Sequence, residues 1–284
     1  MLRRTKIVAT LGPATDDVDV IFDMCRAGLD VARVNFSHGN HDDHLRRIML
    51  LREASMRAGR YVAILGDLAG PKIRIESFQN GKVDLQDGQA FALDTALDSK
   101  SGTDSVVGVA YKELVNDVKA GDTLLLNDGL IVLEVTAVHG TRIETKVIAG
   151  GELSNRKGVN RKGGGISAPA LTDKDFEDIR FASAQGLDYL ALSFVRDAAD
   201  INKARELLKQ AGGESVRIVA KIERHEAVAH LDEIIAATDV IMVARGDLGV
   251  EMGHAALTGL QKTMIYKTRH ANRVVITATQ MMES

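Results

Sequence analysis

The chain has 284 residues, of which 45% are hydrophobic and 26% charged, a balance that excludes disorder because enough apolar surface can be buried to offset the entropy of ordering. Its 36 basic and 39 acidic residues leave a formal charge of −3 with both signs interspersed, which argues against a nucleic-acid binder. The single Cys25 excludes an internal disulfide and most structural zinc sites, and no apolar run reaches the roughly 18 residues that span a bilayer, so a soluble protein of the cytoplasm is expected.

Short apolar runs alternate with longer amphipathic segments, the signature of parallel βα units. In chain order, strands are predicted at Lys6–Leu11, Val31–Phe36 and Tyr61–Leu68. Between them lie predicted helices at Asp16–Ala27, with Thr15 as candidate N-cap, and at Asp42–Arg57 after a His-rich turn. From Lys72 to Ala168 helical periodicity gives way to short alternating runs. Hairpin signals appear there at Asn127-Asp128-Gly129 and His139-Gly140, flanking Leu130–Val138 and Thr141–Ile148. Pro71 and Pro169, two of only three prolines, bracket this all-β insert, which is placed to act as a lid over the end of the third strand.

Beyond the insert the βα rhythm resumes. Helices are predicted at Asp173–Gln185 (capped by Thr172), Asp197–Gln210, His225–Ala237 and Ala255–His270, and strands at Tyr189–Phe194, Arg217–Glu223, Val240–Asp247 and Arg273–Thr279. The expected fold is α/β, a (β/α)8 TIM barrel with seven strands visible and an inserted all-β lid domain after the third. The expected division is residues 1–70, 71–169 and 170–284. No dinucleotide fingerprint or P-loop follows any strand; the glycines at 163–165 lack the strand–turn–helix context.

Chemistry in such a barrel sits at the C-terminal ends of the strands. Residues two apart on a strand share a face. That spacing groups Arg33, Asn35 and Ser37 on the second strand and Lys221 with Glu223 on the fifth. It also groups Arg245 with Asp247 on the sixth and Thr277 with Thr279 on the last, while Asp67 ends the third. Glu223 and Asp247 make a two-point anchor for a hard divalent cation. Lys221 suits an anionic group in transfer, Arg33 suits bidentate phosphate binding, and Gly246 lets the backbone approach an anion closely. The residues alone therefore indicate metal-assisted work on a small phosphorylated or carboxylated substrate. His38, His41 and His44 are expected to be solvated at a loop–helix junction, Asp42 and Asp43 to favour the helix N-terminus there, Asp16 and Asp17 to be a first-turn feature that needs no metal, and Cys25 to be a small core residue.

Seven segments in a fixed order carry a resemblance. They are RTKIVATLGP from Arg4, NFSHG from Asn35, GDLAGPKIR from Gly66, KGVN from Lys157, AKIE from Ala220, MVARGDLGVE from Met242 and TATQMMES from Thr277. Through them the chain resembles the pyruvate kinases over essentially its whole length. The resemblance implies transfer of the phosphoryl group of phosphoenolpyruvate to ADP, with Mg2+ or Mn2+ held by Glu223 and Asp247 and a second divalent ion arriving with the nucleotide. It implies that Lys221 lies against the transferring group and Arg33 binds phosphate. Gly246, Asp247 and Thr279 would hold the carboxylate end, Thr279 also lying near the face where the enolate is protonated. Asn35, Phe36, Ser37, His38, Arg74 and Lys157 would meet the nucleotide.

Many family members hold K+ at counterparts of Asn35, Ser37, Asp67 and Leu68 and carry Glu at the position of Lys72. Here Lys72 is expected to supply that charge, so that K+ is not required. The family is typically a homotetramer. The about 185 residues outside the insert fall short of the roughly 250 of a full barrel, so an eighth strand, the last helices and the family's C-terminal domain are expected to be missing. A different enolate-handling enzyme on the same barrel shares the carboxylate pair but gives no reason for the lid, Lys157 or Arg74. A catalytically silent folding or association unit is the third reading.

Overall fold

The computed structural model describes residues 4–279. The first part holds strands β1 (Val8–Thr10), β2 (Val31–Asn35) and β3 (Ala63–Asp67), with helices α1 (Val18–Ala27) and α2 (His41–Arg57) between them. The second part holds α4 (Asp173–Ala184), β12 (Tyr189–Leu192), α5 (Ala198–Gln210), β13 (Arg217–Ile222), α6 (His225–Ala229), α7 (Leu231–Ala237), β14 (Val240–Ala244), α8 (Arg245–Met252), α9 (His254–His270) and β15 (Val274–Ala278). Among the described residues these seven strands form one sheet in the order β1-β2-β3-β12-β13-β14-β15, every neighbour parallel, the arrangement of a TIM-type barrel. No helix in that range is long and apolar enough to cross a membrane.

Strict alternation along the strands builds two apolar layers. Ile218, Ala220 and Ile222 of β13 and Ile241 and Val243 of β14 face outward into the large core shared with the helices. Leu65, Ala191, Val219, Val240 and Met242 face inward and fill the barrel. Both faces of the sheet are thus covered, which is why its strands read as continuous apolar runs.

Local signals set most helix starts. Thr172 and Asp175 form a capping box at α4, and Asn40 and Asp43 form another at α2. Helix α1 departs from expectation: Asp17, not Thr15, is its N-cap, accepting from Asp19 N at 2.7 Å, and Thr15 lies in a preceding 3-10 turn. Asp16 stands outside that helix and binds Arg47 and Arg46, whose guanidinium groups hold its carboxyl down at about 2. The predicted helix His225–Ala237 is broken at His230 into α6 and α7. Cys25 is fully buried in the core between the helices and the sheet, as expected.

Residues between β3 and α4 form β4 (Lys82–Leu85), β5 (Ala90–Asp94), β6 (Val106–Gly108), the single turn α3 (Leu114–Asp117), β7 (Thr123–Leu126), β8 (Ile131–His139), β9 (Arg142–Ala149), β10 (Gly151–Ser154) and β11 (Val159–Arg161). They make a six-stranded sheet, β11-β7-β8-β9-β5-β6, and a β10-β4 pair around their own apolar cluster. The hairpin signal is realised: Asn127, Asp128 and Gly129 all take left-handed backbone between β7 and β8.

Candidate active site

The inward rows that fill the barrel turn polar at their upper ends. On β3, Leu65 is followed two residues on by Asp67; on β13, Val219 is followed by Lys221 and then Glu223; past β12, Ala191 is followed by Ser193. The same alternation that buries the apolar residues therefore aims these polar groups at one mouth.

Lys221 is the centre of the cluster. Its ammonium lies 2.9 Å from Glu223 Oε1 and 3.3 Å from Asp67 Oδ1, and it donates to Ser193 Oγ at 2.7 Å. Burial disfavours the charged lysine, but the two carboxylates outweigh it and hold the ammonium above its ordinary value. Asp67, 1% exposed, also receives Arg33 Nε on Oδ2 at 2.6 Å, and Arg33 Nη1 reaches Thr10 Oγ1 at 2.9 Å. Glu223 Oε2 accepts from Phe194 N at 2.7 Å. Burial pushes the Glu223 carboxyl up, Lys221 opposes it, and the like charge of Asp247 adds to the rise.

Arg245, Gly246 and Asp247 depart from expectation. The predicted strand Val240–Asp247 ends at Ala244, and these three residues form the first turn of α8, so Arg245 and Asp247 do not share a strand face. Pairing with β15 ends at Ala244 opposite Ala278, and Arg245 turns back to donate to the carbonyls of Ala278 and Thr279. Thr279 lies just past β15 with φ of 72°, so it breaks the alternation with Thr277. A Cβ at Gly246 would lie 3.4 Å from Thr279 Cγ2, which puts the two residues side by side. Asp247 Oδ1 is 3.0 Å from Lys72 Nζ, so the residue that follows Pro71 reaches the mouth.

Asn35 ends β2, and its Oδ1 accepts from Ser37 N at 3.1 Å; Ser37 and His38 are exposed beside it. Phe36 is fully buried. Leu68 is also buried, its carbonyl accepting from Ser193 Oγ at 2.7 Å. Arg74 and Lys157 are neighbours on the insert: Arg74 bridges Gly158 and donates to Arg156 O, and Lys157 O accepts from Ile75 N at 2.9 Å. No contact ties the side chain of either to the Lys221 cluster among the described residues.

Of the three histidines read as solvated, only His38 is exposed. His44 is 2% exposed because His44, Ile48 and Leu51 recur at helical spacing on the buried face of α2, and burial lowers its pKa. His41 Nε2 sits 2.7 Å from Asp178 Oδ1. Sequence reasoning passed over Ser193 and Thr10, although both are polar residues near a strand's C-terminal end, the signal that found the others.

No group of three or more His, Cys, Asp or Glu side chains has metal-holding geometry among the described residues. The candidate set is the two carboxylates Glu223 and Asp247. Two hard oxygen donors whose like charges bear on each other fit Mg2+, which takes one or two carboxylates and completes its shell with water and substrate oxygens.

Comparison with known proteins identifies the family. Residues 2–284 match the family model described as the pyruvate kinase barrel domain. The chain is 53% identical over 286 residues to a pyruvate kinase of Haemophilus influenzae, covering 100% of this chain and 60% of that protein. It is 54% identical to pyruvate kinase II of Salmonella typhimurium, covering 100% of this chain and 59% of that protein. With a pyruvate kinase of Geobacillus stearothermophilus the identity is 46%, covering 100% and 48%. The chain thus spans between about half and three-fifths of these relatives' lengths.

Proposed function

The chain belongs to the pyruvate kinase family, and on that premise we propose that its barrel mouth moves the phosphoryl group of phosphoenolpyruvate to ADP, leaving pyruvate and ATP. One observation carries the reading: the buried Lys221 ammonium, fixed among Ser193, Glu223 and Asp67, with Arg33 on the same Asp67 carboxylate. A cation already in place needs no reorganisation as charge spreads over the transferring phosphoryl oxygens.

In that reaction a terminal oxygen of ADP bonds to phosphorus. The bond from phosphorus to the enol oxygen breaks, and its electron pair stays on that oxygen. The resulting enolate takes a proton on its methylene carbon. Lys221 stabilises the phosphoryl charge, and Arg33 offers a planar fork to the phosphate. Gly246, Asp247 and Thr279 hold the carboxylate end, with Thr279 toward the carbon that is protonated. Asn35, Ser37, His38, Arg74 and Lys157 meet the nucleotide, whereas Phe36, expected among them, has no exposed surface and supports the segment from beneath. Glu223 and Asp247 would hold Mg2+ or Mn2+, which supplies neutralisation of substrate charge. The insert, residues 71–169, acts as a lid that keeps water from competing as acceptor.

Lys72 supplies the charge that K+ brings in many relatives. Its ammonium is already at the mouth on Asp247, and Leu68 presents no side-chain oxygen and has its carbonyl bonded to Ser193. Activity in a tetramethylammonium buffer is therefore expected to equal that with K+; rates restored by K+ alone would overturn this assignment.

The main test is pyruvate release from phosphoenolpyruvate and ADP, followed by a coupled dehydrogenase. Wild-type turnover is expected, with kcat of Lys221→Ala lower by about 10²–10³-fold. No release by the wild type, or an unchanged kcat in the variant, would overturn the reading.

A further inference from the structure

Asp178 of α4 is a buried carboxylate that none of the steps above uses, at 1% exposure. Its Oδ1 meets His41 Nε2 at 2.7 Å and its Oδ2 meets Lys174 Nζ at 2.6 Å. The same Lys174 ammonium donates to the carbonyl of Phe36 at 2.8 Å. Phe36 begins the connection from β2 to α2, and His41 is the first residue of α2. One carboxylate thus grips both ends of the segment that carries Ser37 and His38.

The grip has a direction. The peptide unit between Phe36 and Ser37 is held on both sides, its carbonyl by Lys174 and its N–H by Asn35 Oδ1 at 3.1 Å. Fixing the carbonyl fixes the plane of that peptide and so the amide of Asn35. Beneath it the Phe36 ring is locked edge-on to His44 at 5.1 Å and to Phe181 at 5.9 Å, and His41 stacks on Phe181 at 4.5 Å. Lys174 keeps 52% of its side chain exposed, so burial does not require this contact; the ammonium could remain in water. It is instead drawn onto a backbone carbonyl by a buried anion.

We infer that Asp178, acting through Lys174 and His41, is a positioning residue that presets residues 35–38 for a nucleoside diphosphate. The inference rests on the reading that this segment meets the nucleotide. Lys174→Met keeps the stem of a half-exposed side chain and removes only the ammonium; Asp178→Asn removes the anion. The full chain would be followed by hydrogen exchange over residues 36–40 and by separate KM values for ADP and phosphoenolpyruvate.

Expected in Lys174→Met are at least tenfold faster exchange at 36–40 and a KM for ADP raised fivefold or more. KM for phosphoenolpyruvate should stay within twofold, and Lys174→Arg should recover part of the loss. Unchanged exchange, or equal rises in both KM values, overturns the inference, including where Asp178→Asn is simply unstable. A wild type that binds no ADP by calorimetry overturns the nucleotide reading and, with it, this role for Asp178, whereas the exchange result alone reports whether the grip exists.

Discussion

Ser193 shows how much can depend on one hydroxyl. It is 3% exposed, accepts from Lys221 and donates to Leu68 O, each at 2.7 Å. Removing it leaves a buried carbonyl unpaired and one ammonium proton without its acceptor, a loss of about 1–3 kcal/mol. Ser193→Ala is expected to lower kcat about tenfold while KM for phosphoenolpyruvate changes little, because the cation is misplaced only where the transition state needs it. Steady-state kinetics of the variant checks this; an unchanged kcat would show that Glu223 and Asp67 suffice to hold the ammonium. The polar residues at strand ends were legible because two-residue alternation is a local property. Ser193 obeys the same rule, but its partners Lys221 and Leu68 lie 28 and 125 residues away, so its role was not legible.

Strand β3 is shaped by what it omits. A Cβ at Gly66 would lie 2.8 Å from both Leu187 Cδ2 and Phe36 Cε2, and those side chains are buried at 3% and 0% exposure with nowhere to retreat. Gly66→Ala is expected to destabilise the fold by about 1–3 kcal/mol, the usual cost of overpacking, and thermal denaturation would register a lower Tm. An unchanged Tm would mean that the Phe36 ring can shift, and residues 36–38 would then move with it. Helix α8 makes the complementary point. A continuous apolar run followed by Arg-Gly-Asp reads as a strand to its end, yet the ladder stops at Ala244, and Arg245 donates instead to the carbonyls of Ala278 and Thr279. Where a strand stops depends on its neighbour, which local patterning does not contain.

The insert and the barrel meet through charged and polar groups with their own titration. Glu251 of α8 is 7% exposed, accepts from Asn160 Nδ2 of β11 at 3.3 Å and from His225 N at 2.9 Å, and burial raises its carboxyl to about 7 despite those donors. Near pH 4.5 the unfolded chain begins to lose this proton, while the folded chain keeps it until about pH 7. Between those values the folded state binds more protons, so stability falls as pH rises, by about 3 kcal/mol at most. Glu251→Gln is expected to remove that slope and to be the more stable protein at pH 8, Asn160 turning its amide to accept. Denaturant unfolding of both proteins from pH 4.5 to 8 checks this; parallel curves would show that the group ionises normally.

The sequence by itself determined the alternation of strands and helices, the N-cap at Thr172, the β hairpin at Asn127-Asp128-Gly129 and the polar residues above the barrel's inner layer. Each follows from spacing within one element, where 2.0 or 3.6 residues per repeat decides which face a side chain takes. Tertiary structure alone decided that Lys72 meets Asp247 across 175 residues, that Lys174 reaches Phe36 across 138, and that His44 is core while His38 is not. Those outcomes depend on which elements the parallel sheet brings side by side. A charge finds its partner only after the apolar layers have closed around it.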